Sequence, residues 1–322
     1  MIARSHGCFP HSKRPISVAL FAVLVSVVFV GASAAGEPDR IEAPRPVLNI
    51  AHAGASSLAP QNTLAAGRKA FEVGADLWGV DVRLTKDGVF VLMHDATLDR
   101  TTDVEDVFPE RAPWRVEDFT LDEIETLDAG SWFVEDDPFG QIEEGNVSVE
   151  DVHAYVGEPV PTLREALAFT LAVDGRIDIE VKPMGDTPRE AIAERLLALI
   201  EETETTDRIL ISSFDHAFLR AVKRLDPAVP IGALAVFAPL NPVTYLKDLG
   251  ADVYEPSVVG YTSDLLARLA EEGIGVYVWT YNSTSQLERL ATLDGVCGIY
   301  TDFPQRLEPI LDRLYDMGGD DA

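Results

Sequence analysis

From residue 47 onward, short apolar runs rich in β-branched residues alternate with segments whose apolar residues recur at helical spacing. The runs cover 47–51, 77–84, 89–93, 176–182, 209–213, 231–236, 252–256, 276–281 and 298–302. Helical patterns at 62–73, 188–202, 217–225, 242–249, 263–272 and 284–293 lie between them. Strands separated by helix-length crossovers pair in parallel, so this rhythm points to repeated βαβ units. One joint differs. Thr85-Lys86-Asp87-Gly88 is too short for a crossover and carries the Asp-Gly turn dipeptide, so 77–84 and 89–93 form a hairpin. Setting the second arm aside leaves eight strands, and the expected class is α/β, a (β/α)8 TIM barrel. An open doubly wound sheet is the other architecture the alternation allows. With Asp87-Gly88 as the two turn residues, Asp81 lies opposite His94; a slip of one residue would put Met93 there instead.

The barrel is expected over 47–314, with a small insertion at 101–160 after the hairpin of the second strand. Little β-branched periodicity survives in that stretch, which reads as partly helical around 121–127 and as a mobile loop over 141–156. Residues 315–322 read as a flexible tail and 35–46 as a linker.

Residues 1–34 have the layout of a secretory signal. Arg4, Lys13 and Arg14 precede an apolar run at 16–30, and Ala32-Ser33-Ala34 offers a cleavage site. The run falls short of the ~20 residues a spanning helix needs, so no stable membrane span is expected after cleavage. An uncleaved anchor is the alternative. The chain is therefore expected outside the cytoplasm, secreted or extracytoplasmic. Cys8 would leave with the signal, and Cys297 alone cannot form an intramolecular disulfide. A net charge of −28 argues against nucleic acid as a partner. Asn146-Val147-Ser148 and Asn282-Ser283-Thr284 fit the glycosylation pattern.

Ionisable residues stand where barrel strands should be apolar. His52 and His94 each follow an apolar run, Asp81 lies late in the second strand, and Glu180 and Lys182 alternate in the next. Such groups are costly inside a barrel unless they act. The carboxyl ends of barrel strands are where catalytic groups gather, and these five converge on one mouth. Two imidazoles can exchange protons with a nucleophile and a leaving oxygen, while carboxylates hold a hard cation against phosphate charge.

The motifs that carry these residues resemble the glycerophosphodiester phosphodiesterase family. They are His52-Ala53-Gly54, Pro60-Gln61-Asn62-Thr63, Asp81 through Gly88, His94-Asp95, Arg100-Thr101-Thr102, Ile179-Glu180-Val181-Lys182, Ser213-Phe214 and Trp279 through Asn282. The resemblance implies hydrolysis of a small phosphodiester to glycerol 3-phosphate and an alcohol, with Mg²⁺ or Ca²⁺. It implies His52 and His94 as the catalytic pair, Lys182 as an active-site lysine, and Asp81 and Glu180 as metal ligands. Phe214 and Trp279 are expected to line the substrate mouth. Three positions depart from the family pattern: Ala53, Gln61 and Gly79 stand where arginine, glutamate and glutamate are usual. These departures leave open a catalytically silent barrel that binds a polyol phosphate or a lipid headgroup.

Overall fold

The computed structural model describes residues 9–10 and 46–315. Eight parallel strands close on themselves as the alternation predicts: β1 (Leu48–Ala51), β2 (Leu77–Leu84), β4 (Ile177–Val181), β5 (Ile209–Ser213), β6 (Ile231–Ala235), β7 (Val253–Pro256), β8 (Gly275–Val278) and β9 (Gly298–Thr301). The order β1-β9-β8-β7-β6-β5-β4-β2 is completed by pairing of β1 with β2. β3 (Phe90–Leu92) is the hairpin arm, antiparallel to β2 and outside the barrel. The Gly- and Ala-rich run at 231–236 is a full member of the sheet.

Strand sequences bury residues on both faces, as a barrel wall covered by helices requires. One face meets the helices in the main core. There Trp78 on β2 is fully buried; its indole N–H donates to Thr170 Oγ1 at 2.9 Å, and its ring stands edge-on to Phe169 at 5.6 Å. The other face fills the barrel floor with Leu48, Ile50, Leu77, Leu210, Val253 and Tyr277. Phe9 is buried against this floor, with the Arg176 guanidinium 4.8 Å from its ring. Otherwise the segments expected as signal, linker and tail lie outside the described residues, save Pro46 and Tyr315 at their inner ends and Pro10 beside Phe9. No helix among the described residues is long and apolar enough to cross a membrane.

Two expectations are corrected. The hairpin pairs Val82 with Leu92 and Leu84 with Phe90, so Asp81 faces Met93, whose N–H donates to the Asp81 carbonyl at 2.9 Å. The cause is a three-residue loop, Lys86-Asp87-Gly88. Gly88 takes φ +80° and the Thr85 N–H bonds the Val89 carbonyl, which shifts the register by one. The second correction concerns 101–160, which is a folded lobe with its own core of Val104, Val116, Phe119, Ile124 and Leu127 packed under Val91 and Met93. The stretch 141–156, expected as a mobile loop, includes the helix Val149–Tyr155 and a buried Gln141 whose amide donates to Glu144. Tyr155 ties this lobe to the loop after β1 through a 3.0 Å bond to the Leu58 carbonyl.

Candidate active site

His52 is the first residue past β1, and its N–H bonds the Thr301 carbonyl of β9 at 3.0 Å. Its ring is fixed by a carboxylate that ends β9: Nδ1 lies 2.8 Å from Asp302 Oδ1. Asp302 is itself held by Ser56 Oγ at 3.0 Å and by Asn282 Nδ2 at 2.6 Å. The glycosylation pattern at Asn282 therefore falls on an amide already engaged inside the site. Burial disfavours the His52 cation, but the bond to Asp302 and the charges of Asp302, Asp81 and Glu180 outweigh it and raise the pKa. Asp302 is held below the usual carboxylate range: burial works against this, but the His52 bond and charge prevail, aided by Asn282 and Ser56.

The loop after His52 needs unusual backbone. Ala53 and Asn62 take positive φ, +54° and +57°, and a Cβ on Gly54 would lie 2.5 Å from Ala66 Cβ. The Asn62 N–H closes the loop on the Ala53 carbonyl at 2.9 Å. That places the Asn62 side chain against Asp81, donating to Oδ2 at 2.8 Å and accepting from the Asp81 N–H at 2.9 Å.

His94 arrives from the opposite side, beyond the hairpin arm. Arg83 on β2 grips its carbonyl with Nε and Nη2 at 3.1 and 2.9 Å, so the altered register still delivers the ring to the mouth. His94 Nδ1 lies 2.7 Å from Asp95, which pairs in turn with Arg100. Each imidazole thus has a carboxylate partner on Nδ1, and both line one cavity of about 300 Å³ at the carboxyl ends of the strands.

Below them the wall is carboxylate-rich. Lys182 Nζ bridges Asp81 Oδ1 at 2.9 Å and Glu180 Oε1 at 2.5 Å, all three mostly buried. Burial opposes ionisation of Asp81, yet the charges of Lys182, His94 and His52 and the Asn62 bond hold its carboxyl far below the usual range. Glu180 moves the other way, raised by burial and by the Asp81 charge beyond what Lys182 offsets. Deeper still lie Asp178 on β4 and Glu255 on β7. Asp178 Oδ2 accepts from Ser212 Oγ at 3.0 Å and from Tyr300 Oη, while its Oδ1 and both Glu255 side-chain oxygens have no hydrogen-bond partner among the described residues. Burial and neighbouring acids push Asp178 up to about 7 and Glu255 well above its ordinary value. Gly232 makes room for the Glu255 carboxyl; any side chain there would collide with it. Beside Gly79 the space goes to an aromatic ring, since a Cβ at 79 would lie 3.3 Å from Tyr300 Cε1.

Among the described residues, no three His, Cys, Asp or Glu side chains surround one point as a ready cation cage. The donor type nonetheless fits a hard divalent ion. Such an ion, and Mg²⁺ above all, keeps several waters and needs only one or two carboxylates. Asp81 and Glu180 supply these at the cavity wall.

Phe214 and Trp279 stand at the rim, edge to face at 5.7 Å, and both line the cavity. All seven residues singled out in the sequence are therefore in one place. Asp302, Asp95, Asn62, Arg83, Asp178 and Glu255 were not. Glu255 had a readable signal, an acid within an apolar strand.

Residues 52–306 match the model of the glycerophosphoryl diester phosphodiesterase family. The chain is 35% identical over 260 residues to a glycerophosphodiester phosphodiesterase of Caldanaerobacter subterraneus subsp. tengcongensis, covering 81% of this chain and 96% of that relative. A glycerophosphodiester phosphodiesterase of Bacillus altitudinis is 32% identical, with 82% and 98% covered. Among solved structures, an Oleispira antarctica phosphodiesterase in complex with the product sn-glycerol-3-phosphate superposes with a TM-score of 0.70 at 26% identity, covering 83% of this chain and 97% of that one. A closed parallel barrel, a site at its strand ends and these matches lead to one conclusion: the chain belongs to the glycerophosphoryl diester phosphodiesterase family and is a phosphoric diester hydrolase.

Proposed function

We propose that this hydrolase cleaves a glycerophosphodiester by transferring protons between His52 and His94. The observation that carries the reading is that both imidazoles, each anchored through Nδ1 by a carboxylate, open into one cavity beside Asp81, Glu180 and Lys182. A raised pKa favours the protonated form of His52, which suits it to deliver a proton from Nε2 to the leaving alcohol oxygen. His94 then takes the proton of the attacking water, whose oxygen bonds to phosphorus as the bond to the alcohol breaks. Asp302 and Asp95 fix the ring orientations. A Mg²⁺ or Ca²⁺ ion held by Asp81 and Glu180 would, when bound, neutralise phosphate charge. Lys182 places a third positive group near the phosphoryl oxygens, where Ala53 supplies none. The basic and then apolar N-terminal layout supports export of the enzyme.

The test is hydrolysis of glycerophosphocholine and of a chromogenic phosphodiester with Mg²⁺, Ca²⁺ or Mn²⁺, against His52→Ala and His94→Ala. Each substitution is expected to lower kcat by about 10²–10⁴. Equal rates in wild type and both variants would overturn the reading; calorimetric binding without turnover would favour a silent binding barrel.

A further inference from the structure

The proposed chemistry uses Asp81 of β2 and leaves Arg83, two residues on, without a task. Arg83 does not line the catalytic cavity. Its side chain is half-buried behind the mouth, on a smaller pocket whose walls include Ala96, Arg115, Glu117, Pro183 and Gly185. Its guanidinium bonds go to main-chain carbonyls. Nε and Nη2 share the His94 carbonyl at 3.1 and 2.9 Å, and Nη1 donates to the Pro183 carbonyl at 2.9 Å. Pro183 directly follows Lys182, and the register that pairs Asp81 with Glu180 and Val82 with Val181 brings Arg83 level with Lys182. One planar group thus holds the chain beside two residues of the site that arrive on separate loops.

Both loops need holding. The hairpin ladder ends with the Met93 N–H on the Asp81 carbonyl, so His94 lies beyond its last rung. Pairing of β4 with β2 ends at Val181, and the Lys182 N–H reaches the Val82 carbonyl at 3.3 Å. The inserted lobe closes the arrangement from behind. Thr97 bridges Arg115 antiparallel, the Leu98 N–H bonds the Trp114 carbonyl and the Val116 N–H the Ala96 carbonyl, both at 3.0 Å. On the other side Glu117 packs against Gly185, where a Cβ would lie 2.3 Å from its Oε2. The lobe therefore touches both segments that Arg83 joins.

We infer that Arg83 is a positioning residue for phosphodiester cleavage: it sets His94 relative to Lys182, and the lobe keeps both loops seated on its guanidinium. The inference rests on the hydrolase reading above. Both bonded carbonyls belong to the main chain, so Arg83 acts through geometry rather than by meeting the phosphate. A lysine in its place would bring a point charge on a flexible stem and no fixed fork. Misplacing a catalytic group by about 1 Å costs up to about 10²-fold in rate, so the loss should fall mainly on kcat.

The experiment measures kcat and KM for glycerophosphocholine with Mg²⁺ in wild type, Arg83→Gln, Arg83→Lys, His94→Ala and the double variant Arg83→Gln/His94→Ala. Arg83→Gln is expected to lower kcat at least about tenfold while KM changes less than about threefold. In the His94→Ala background the same change should cost less than about threefold, because groups that act as a unit are not lost twice. Losses that simply multiply, a loss confined to KM, or full activity in Arg83→Lys overturns the inference. NMR of the imidazole rings gives a second readout that needs no turnover. The His94 signals should shift in Arg83→Gln while those of His52 stay in place; unchanged His94 signals overturn the inference. If wild type cleaves no phosphodiester, the hydrolase reading fails and the NMR comparison alone judges the positioning. Should Arg83→Gln not fold, Arg83→Lys supplies both readouts, with the same outcomes expected.

Discussion

Asp302 shows how the chemistry of this site depends on residues that never meet the substrate. Replacing it with asparagine removes the negative partner of His52 Nδ1 and the bond that raises the ring's pKa. Asp302→Asn should lower kcat by about 10² or more. The general acid would also lose its proton at lower pH, so the alkaline limb of the pH–rate profile should move down; an unshifted limb would show that Asp302 does not act through His52. Asp178 permits a second test, on stability. Its ordinary value is 3.8 and its folded value about 7. Below pH about 4 the carboxyl is neutral in both states. Between about 4 and 7 the unfolded chain gives up the proton and the folded chain retains it, so stability falls as pH rises and levels off above 7. Measured in chelator, Asp178→Asn should therefore raise Tm more at pH 8 than at pH 4, and an equal effect at both would refute the buried-acid account. The five ionisable residues at strand ends were legible because each interrupts an apolar run. Asp302 was not read as an anchor because its role depends on a partner that only folding identifies, 250 positions away at His52.

Among the elements, β2 and its covering helix explain why one glycine resists a normally favourable change. Gly67 lies in the helix Leu64–Glu72, where alanine would ordinarily gain about 1 kcal/mol. Here an added Cβ would come within 2.8 Å of Trp78 Cζ3 and 2.9 Å of Phe169 Cε1. Both rings sit in the main core, so Gly67→Ala should destabilise by about 1–3 kcal/mol in a denaturant titration; a gain in stability would mean the two rings can part freely. Strand positions were readable to within three residues because β-branched runs have few other uses. Register was not. The Asp-Gly pair signals a tight turn but does not say whether Lys86 lies in the loop or in the ladder; in the fold the Thr85 N–H bonds the Val89 carbonyl and the Lys86 N–H turns away to the Phe119 carbonyl, which leaves Lys86 in the loop. The insertion at 101–160 was foreseen, but its packed core and the helix within 141–156 escaped for a related reason. Its short helices gain their stability from packing under β3, so their sequences carry little periodicity of their own.

For the molecule as a whole, a −28 charge spread over one barrel makes self-repulsion a property of the folded state. Screening reaches about 10 Å at 0.1 M salt. Raising NaCl from 10 mM to 0.5 M should thus lift Tm by a few degrees, roughly the effect of 1 kcal/mol in a domain this size. A flat or falling Tm would place the acidic groups too far apart to matter. The alternation of strands and helices pointed to a parallel sheet covered on both faces, which left an open doubly wound sheet beside the closed barrel that β1 and β2 complete. What it did not reveal was how the interior is divided, with aliphatic and tyrosine side chains below and acids above. That division makes the enzyme a cul-de-sac. Leu48, Ile50, Leu77, Leu210, Val253 and Tyr277 block any rear exit, so both products must back out through the entrance that the next substrate needs. Any product that lingers in the cavity therefore competes with incoming substrate, which steady-state kinetics with added product would show.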